Sequence, residues 1–207
     1  MFFLAVISVY LPLLKTTTLA YILNIETATK NCSVSVAKEG KTIALKELND
    51  GAYSHAEKLH EFMSLVMREA GIEFDKLDAV SVSKGPGSYT GLRIGVSAAK
   101  GLCFALDIPL IAVPTLSSLS QAVIYERGYK VPLLDARRME VYSAVFNSQN
   151  EQIRAVEAEI ITEASFDSYL EKGKVYFFGD GAQKCQGIIC HKNAVFINDK
   201  FPSAKEL

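Results

Sequence analysis

The sequence is poor in the residues that most often build metal and redox sites. Among its 207 residues there is no tryptophan, there are only three histidines, and none of the four cysteines stands in a CxxC pair. Zinc sites and disulfide frameworks depend on regularly spaced cysteines. We therefore expect reduced, mostly buried cysteines in a cytoplasmic protein.

The few histidines are spaced wrongly for a shared metal ion. His55 and His60 are five residues apart on a predicted helix, so their side chains point about 140° apart. The third, His191, lies in a polar segment, and no Ser/His/Asp set can be assembled around any of them. We expect no metal ligand and no catalytic residue; helix capping and solvated surface are the roles we favour for the histidines.

The chain also lacks a strong charge of either sign. It has 22 Lys and Arg against 23 Asp and Glu, a net charge of -1, and no basic tract. Proteins that bind nucleic acids do so largely through cations on the phosphates. If a nucleic acid is involved, this chain does not supply the main phosphate-binding field.

No apolar stretch is long enough to cross a membrane. Met1–Leu14 is nearly all apolar, but it is short, is interrupted by Pro12 and has no basic residue before it. We expect residues 1–20 to be a leader outside the folded domain, with a native start near Leu19. A weak signal peptide is the alternative.

One glycine-rich segment, Lys84–Gly95, carries the strongest local signal. It follows an apolar strand-like run and leads into a helix, and its glycines permit close backbone approach. Ser88 or Thr90 can cap that helix, whose free N–H groups attract anions. Neither G-x-x-x-x-G-K-[ST] nor G-x-G-x-x-G is present. A phosphate cradle and a simple capped turn are therefore both compatible with the segment.

Two predicted helices have faces that suggest a partner. Gly91, Gly95 and Ala99 follow one another at intervals of four residues, which makes a flat strip that another helix can approach closely. The earlier helix, His55–Ala70, has an apolar face wider than one sheet-packing stripe. We predict a partner interface on both helices, with core packing as the alternative for the wide face. Its residues are Leu59, Met63, Met67, Gly91, Gly95 and Ala99.

Hydrophobic periodicity changes along the chain in an order that occurs twice. Three strands, a helix, a strand, a helix, a strand and a helix follow Tyr21, and a similar order starts again at Val131. We predict an α/β fold of two βββαβαβα halves, over 21–128 and 129–207, the second truncated. The later helices are predicted over Thr115–Glu126, Thr162–Lys172 and Ala182–Cys190, with the first turn of another at Pro202–Leu207.

This duplicated unit resembles the actin, sugar kinase and Hsp70 superfamily, whose halves are ribonuclease H-like. In that superfamily ATP lies between the halves, and the turn after the first strand of each half holds its phosphates with an acid and a glycine. The corresponding turns here, Glu26–Thr29 and Asp135–Arg138, keep the acid and lack the glycine. The resemblance therefore implies no tightly bound cofactor, with ATP or ADP bound only within a complex.

Three motifs resemble those of the TsaB (YeaZ) family: Ile25-Glu26-Thr27-Ala28, the segment Gly85–Gly95, and Pro114-Thr115-Leu116. The resemblance implies a non-catalytic subunit that pairs with TsaD, joined by the ATPase TsaE, in making threonylcarbamoyladenosine next to the tRNA anticodon. It implies a homodimer when alone, only indirect contact with tRNA, and no membrane. Family members usually continue further, so a final helix is expected to be missing.

Within this resemblance, the motif turns are expected to make at most a weak nucleotide contact. The alternative function is a stand-alone ATP-dependent enzyme similar to a small-molecule kinase. The residues of this contact are Glu26, Gly85, Gly87, Ser88, Thr90 and Arg93.

Overall fold

A computed structural model describes residues 20–51 and 54–207. The leader was predicted over residues 1–20, and residues 1–19 of it lie outside the described residues. Within the described ranges, no helix combines the length and the apolar character needed to cross a membrane. We call residues 21–128 the first half and residues 129–207 the second half.

The first half contains five strands and three α-helices among the residues described. A single 3-10 turn, Phe74–Lys76, precedes its fourth strand. The elements are β1 (Tyr21–Glu26), β2 (Cys32–Lys38), β3 (Lys41–Leu48), α1 (His55–Ala70), β4 (Ala79–Ser83), α2 (Tyr89–Leu106), β5 (Leu110–Val113) and α3 (Thr115–Gln121).

The second half contains five strands and two short helices. They are β6 (Tyr129–Asp135), β7 (Glu140–Phe146), β8 (Gln152–Ile160), α4 (Asp167–Leu170), β9 (Val175–Phe178), α5 (Ala182–Cys185) and β10 (Ala194–Ile197).

The strands form two mixed sheets with the same arrangement. The first sheet has the order β3-β2-β1-β4-β5, and the second has β8-β7-β6-β9-β10. In each sheet the first three strands in sequence pair antiparallel, and the last two add in parallel beside the central strand. The carboxyl ends of the parallel strands therefore meet at one edge of each sheet.

The first sheet has one apolar face and one polar face. Leu23 and Ile25 are fully buried beneath α1 and α2, as the period-two pattern of β1 requires. The opposite face is lined by buried Asn and Ser side chains. The segment 202–204 covers it: Ser35 Oγ donates to Ala204 O (2.6 Å), and Asn31 Nδ2 donates to Pro202 O (2.9 Å).

The second sheet is covered on both faces. One face packs on α4 and α5, and the other on α3, whose Leu116 and Leu119 are buried against it. Lys130 fixes this last contact from within the sheet. Its buried ammonium donates to Val123 O (2.9 Å) and Ser120 O (3.4 Å), which are carbonyls just before and after the end of α3, and also to Asn150 Oδ1.

Several predicted helices are shorter in the structure. The helix predicted to reach Glu126 ends at Gln121, and the one predicted over Ala182–Cys190 ends at Cys185. The helix predicted over Thr162–Lys172 is reduced to α4, because Phe166 takes a left-handed conformation (φ 70°) just before it. No helix forms over 202–207, where the carbonyls of Pro202 and Ala204 accept bonds from the first sheet.

Candidate functional site

The glycine turn after β4 starts α2 at the edge of the first sheet. Ser88 is the N-cap: its Oγ accepts a hydrogen bond from Gly91 N (3.2 Å), and its carbonyl accepts one from Leu92 N (2.8 Å). Of the two predicted caps, the structure therefore selects Ser88. The first N–H groups of α2 are left pointing along the helix axis.

Three glycines bring α2 against the turn after β1. A methyl group at Gly87, Gly91 or Gly95 would lie 2.4 Å from Ala28 O, 2.2 Å from Thr27 O or 2.2 Å from Thr27 Oγ1. Ser88 N also donates to Ala28 O (2.6 Å). A side chain at Gly87 or Gly91 would overlap the backbone of the turn, and one at Gly95 would overlap the Thr27 side chain. We call these five residues, Thr27, Ala28, Gly87, Gly91 and Gly95, the glycine junction.

The glycine junction corrects the predicted interface on α2. Gly91, Gly95 and Ala99 are buried inside the first half. The close neighbour that their spacing predicted exists, but it is the turn after β1 rather than a partner helix. A partner cannot touch these three residues in this structure.

The predicted interface on α1 needs the same correction. Leu59, Met63 and Met67 are 0%, 6% and 3% exposed and belong to the core beneath the first sheet. The outward face of α1 is polar, with His60, Glu61 and other hydrophilic residues exposed. The wide apolar face is therefore core: most of its residues are buried beneath the sheet, and Leu65 is partly buried against the same cluster.

His55 helps to hold the glycine junction. Its ring is buried, and its Nε2 lies 2.7 Å from Thr29 O. A carbonyl only accepts, so Nε2 carries the proton. Burial lowers the pKa of His55, which favours the neutral ring. His60, by contrast, is exposed on the outward face of α1.

Glu26, the acid that ends β1, does not face a ligand space. It is fully buried, and its carboxyl accepts bonds from Ala28 N (2.6 Å) and Ser83 Oγ. Burial raises the pKa of Glu26 to about 7, against the opposing effect of those hydrogen bonds. The carboxyl is therefore used to fix the turn after β1 onto the end of β4.

A cleft of about 900 Å³ lies between the two halves. Ala28–Lys30 and Gly87–Thr90 line it from the first half, and Leu134–Arg137, Gly179 and Asp180 are among the residues that line it from the second. Of the predicted nucleotide contacts, Gly87, Ser88 and Thr90 reach this cleft.

The other three predicted contacts do not line the cleft. Glu26 is buried as described, and Gly85 lies behind the turn, where its carbonyl accepts a bond from Thr115 N (3.0 Å). Arg93 is exposed on α2, with its guanidinium 5.4 Å from the centre of the Tyr89 ring. The six predicted contacts are therefore close in sequence but do not form one site.

Asp135, the acid that ends β6, is bound by a side chain of the same half. Lys184 Nζ donates to Asp135 Oδ1 and to the carbonyls of Arg138 (2.9 Å) and Glu140 (2.6 Å). Asp180 Oδ1 accepts from Asp135 N (3.0 Å), and burial raises the pKa of Asp180 to about 6. Sequence reasoning missed the roles of Lys184 and Asp180, although the Gly-Asp-Gly turn at 179–181 was a visible signal.

Neither strand-end acid is thus arranged as a free general base in the cleft. Among the described residues there is also no group of three or more His, Cys, Asp or Glu side chains that could hold a metal ion. What the geometry does provide is a cleft flanked by one helix N-terminus and two internally fixed turns.

The outward face of α2 carries an apolar side chain that sequence reasoning overlooked. Phe104 is 91% exposed, and the small residues Ser97, Gly101 and Ala105 are exposed beside it. Beyond the helix, Ile111 on the edge strand β5 is 41% exposed. The pattern could have been found by reading the second row of small residues, which also occur at intervals of four.

The fold and the site define an α/β protein of two mixed sheets with a glycine junction beside an interlobe cleft. A solved structure from Pseudomonas aeruginosa with similarity to peptidase YEAZ superposes on it with a TM-score of 0.76 at 26% identity, covering 90% of this chain and 88% of that one. The family model "TsaD: tRNA N6-adenosine threonylcarbamoyltransferase" matches residues 49–195.

Curated relatives narrow the assignment. The tRNA threonylcarbamoyladenosine biosynthesis proteins TsaB of Haemophilus influenzae and Escherichia coli are 31% and 34% identical over 58% and 60% of this chain. The chain belongs to the family that the TsaD model describes and to the TsaB (YeaZ) family. It spans about half the length of these two relatives, 51% and 54%.

Proposed function

We propose that this chain is a non-catalytic partner subunit of TsaD in threonylcarbamoyl transfer to the adenosine 3′ of the anticodon in tRNA. Its family membership supports the pathway, since the relatives at 31% and 34% identity are named for threonylcarbamoyladenosine biosynthesis. A second inference accompanies it: the two sheets of identical order are copies of one βββαβαβα unit.

The observation that carries the non-catalytic role is the state of the two strand-end acids. Glu26 is bound by Ser83 and Ala28, and Asp135 is bound by Lys184. In the actin-like superfamily that the sequence resembles, these turns hold the phosphates of ATP. Here each acid is bound within its own half: Glu26 is fully buried, and Asp135 lines the cleft but is paired with Lys184.

We propose accordingly that no cofactor binds tightly to the isolated chain. ATP or ADP would bind only within the complex, against the N-terminus of α2, where Gly87, Ser88 and Thr90 line the cleft. The free N–H groups of a helix N-terminus attract phosphate.

We place the partner surface on the outward face of α2 and the neighbouring edge strand. Phe104 is the anchor, the exposed small residues of α2 allow close approach, and Ile111 extends the patch. TsaD would cover this patch in the heterodimer, and a second copy would cover it in the homodimer of the isolated chain. A stable contact buries on the order of 800 Å² on each partner. TsaE would join the TsaD complex, and tRNA would be held mainly by the partners.

The test is calorimetric titration of TsaD from the same organism into this chain, followed by reconstitution of threonylcarbamoyl transfer with TsaD and TsaE. We expect micromolar or tighter binding and loss of product when this chain is left out. Absence of binding, together with full activity of TsaD alone, would contradict the proposal.

The rival function, a stand-alone kinase-like enzyme, is tested on the isolated chain with ATP-Mg. We expect no heat of tight binding and no ADP formation. Micromolar ATP binding with turnover of a phosphoryl acceptor would favour the rival.

A further inference from the structure

A second concave site lies at the end of the second sheet opposite the cleft. β6 and β9 run parallel, and Tyr129 N at the start of β6 donates to the carbonyl of Lys174, just before β9 (2.9 Å). A groove of about 770 Å³ opens there. The seven residues of β6 separate it from the cleft by roughly 20 Å, at about 3.3 Å per residue.

The groove has an excess of positive charge that the chain as a whole lacks. Arg127, Lys172 and Lys174 line it and are exposed, while Glu126 is its one acidic residue. Among the described residues, none of these three cations takes part in an ion pair or a side-chain hydrogen bond. Three cations around one concave surface attract an anion more strongly than single surface lysines do, because their fields add.

The groove also has an aromatic wall. The rings of Tyr125 and Tyr176 stack with centroids 3.7 Å apart and planes 3° from parallel. Tyr176 is 8% exposed and anchors the pair, while Tyr125 keeps 37% of its surface exposed. Tyr129, partly exposed, lies in the same wall and is braced edge-on by Tyr169.

Unpaired cations beside fixed aromatic rings are the combination that binds single-stranded nucleic acid, with cations on the phosphates and rings stacked on bases. An acidic peptide would pair with the cations but would have no bases to stack on the tyrosine rings. We infer that this groove binds a single-stranded segment of RNA. The choice of RNA over DNA rests on the proposed function. The inference goes beyond the indirect tRNA contact expected from the sequence, because the groove adds a local contact to a chain of almost neutral net charge.

The experiment measures the fluorescence anisotropy of a fluorescein-labelled single-stranded oligouridine on the full chain at several salt concentrations. Each lost phosphate contact reduces the slope of log K against log salt by about 0.7 for single strands. The double variant Lys172→Gln/Lys174→Gln should bind at least about ten-fold more weakly, with the slope reduced by about 1.4. The matched control Lys41→Gln/Lys100→Gln removes two exposed lysines elsewhere and should bind like wild type.

The aromatic wall is tested with a second pair of variants. Tyr125→Ala should weaken binding by about five-fold or more, since a stacked base is lost, and Tyr125→Phe should restore it. Thermal melts followed by circular dichroism test whether each variant is folded. The substituted lysine side chains are solvent-exposed, so the lysine variants should melt like wild type.

Three results would overturn the inference. They are equal weakening by the two lysine pairs, wild-type affinity of Tyr125→Ala, and equal competition by polyglutamate, which would identify an acidic protein as the ligand. The outcome is separable from the proposed function. A chain that binds TsaD but not the oligonucleotide overturns only the groove, and one that binds the oligonucleotide but not TsaD overturns only the subunit role.

Discussion

The two halves solve the same structural problem with different chemistry. In each, a glycine turn after the fourth strand packs directly on the end of the first strand. A methyl group at Gly87 would lie 2.4 Å from Ala28 O, and one at Gly179 would lie 2.1 Å from Leu133 O. Each half also ends its first strand in an acid, Glu26 or Asp135.

The halves differ in the helix that comes after the glycine turn. In the first, an 18-residue helix brings two more glycines onto Thr27, so the junction is closed by shape. In the second, the helix has four residues, and Lys184 reaches across to Asp135 and two carbonyls. Shape and charge are therefore alternative ways to fix a turn. Glu26 in the first half is fully buried, whereas Asp135 in the second is paired with Lys184 and still 49% exposed.

The largest effect should come from filling the shape-closed junction. Gly91→Ala places a methyl group 2.2 Å from the Thr27 carbonyl and 3.2 Å from the His55 ring. Although Ala favours a helix by about 1 kcal/mol, the overlap with the backbone should lower the free energy of unfolding by about 3 kcal/mol. Urea denaturation measures the change.

Gly101→Ala is the matched control, because it lies on the same helix and a methyl group there meets nothing within 4 Å. It should stabilise the chain by up to about 1 kcal/mol. Equal effects of the two substitutions would show that Gly91 is not closely packed. A methyl group at Gly95 would instead lie 2.2 Å from Thr27 Oγ1, a side-chain atom.

The second prediction uses the buried acid of the first half. Burial raises the pKa of Glu26 from 4.5 to about 7, so the folded chain keeps a proton that the unfolded chain releases. The stability that this group contributes is fully present below about pH 4.5, falls as the pH rises, and levels off above pH 7. The gap between the two pKa values corresponds to about 3 kcal/mol.

Glu26→Gln should remove this fall, because its amide oxygen can still accept from Ala28 N and its NH2 group can donate to Ser83 Oγ. The variant and wild type should be similar at pH 4.5, and the variant should be the more stable at pH 8, measured by urea denaturation across pH. In the second half, burial raises the pKa of Asp180 from 3.8 to about 6, so Asp180→Asn should remove a fall that ends near pH 6. If the two substitutions removed a loss of stability over the same pH range, the predicted difference between the halves would be wrong.

The third prediction breaks the charge-closed turn. Lys184→Met removes the bonds to Asp135 and to the carbonyls of Arg138 and Glu140. Because Asp135 is 49% exposed and can turn to water, the cost should be only about 1–2 kcal/mol. Lys192→Met, at an exposed position, is the control and should change the free energy of unfolding little. If Asp135→Asn costs the same in wild type and in Lys184→Met, the ion pair contributes nothing.

Much of the fold could be predicted because it depends on local periodicity. The helix His55–Ala70 has the predicted bounds, and the strands of both halves occur in the predicted order. The helices of the second half were overestimated, since their apolar residues fit a helical spacing while Phe166 breaks the backbone before α4.

The site was harder to predict because it depends on contacts distant in sequence. The spacing of Gly91 and Gly95 correctly indicated a flat face, but spacing does not identify the neighbour, which proved to be Thr27. Lys184 meets Asp135 across 49 residues of sequence, and no local pattern signals that pair. Phe104 was overlooked for another reason: it lies outside the predicted strip, beside a second row of small residues that the prediction did not use.

The smallest effect on stability, and a large one on binding, is expected on the outer surface of the shape-closed half. Phe104 is 91% exposed, so Phe104→Ser should change the free energy of unfolding by less than about 0.5 kcal/mol. If Phe104 anchors the contact with TsaD, its loss should weaken that complex by about ten-fold or more, as for an aromatic side chain at the centre of an interface.

Ile43→Ser is the matched control, since Ile43 is also exposed (43%) but lies on β3, at the edge of the first sheet opposite β5. Calorimetric titration against TsaD measures both variants. Wild-type affinity of Phe104→Ser with weakened binding of Ile43→Ser would move the interface to the β3 edge, and the outward face of α2 would then be ordinary solvent-exposed surface.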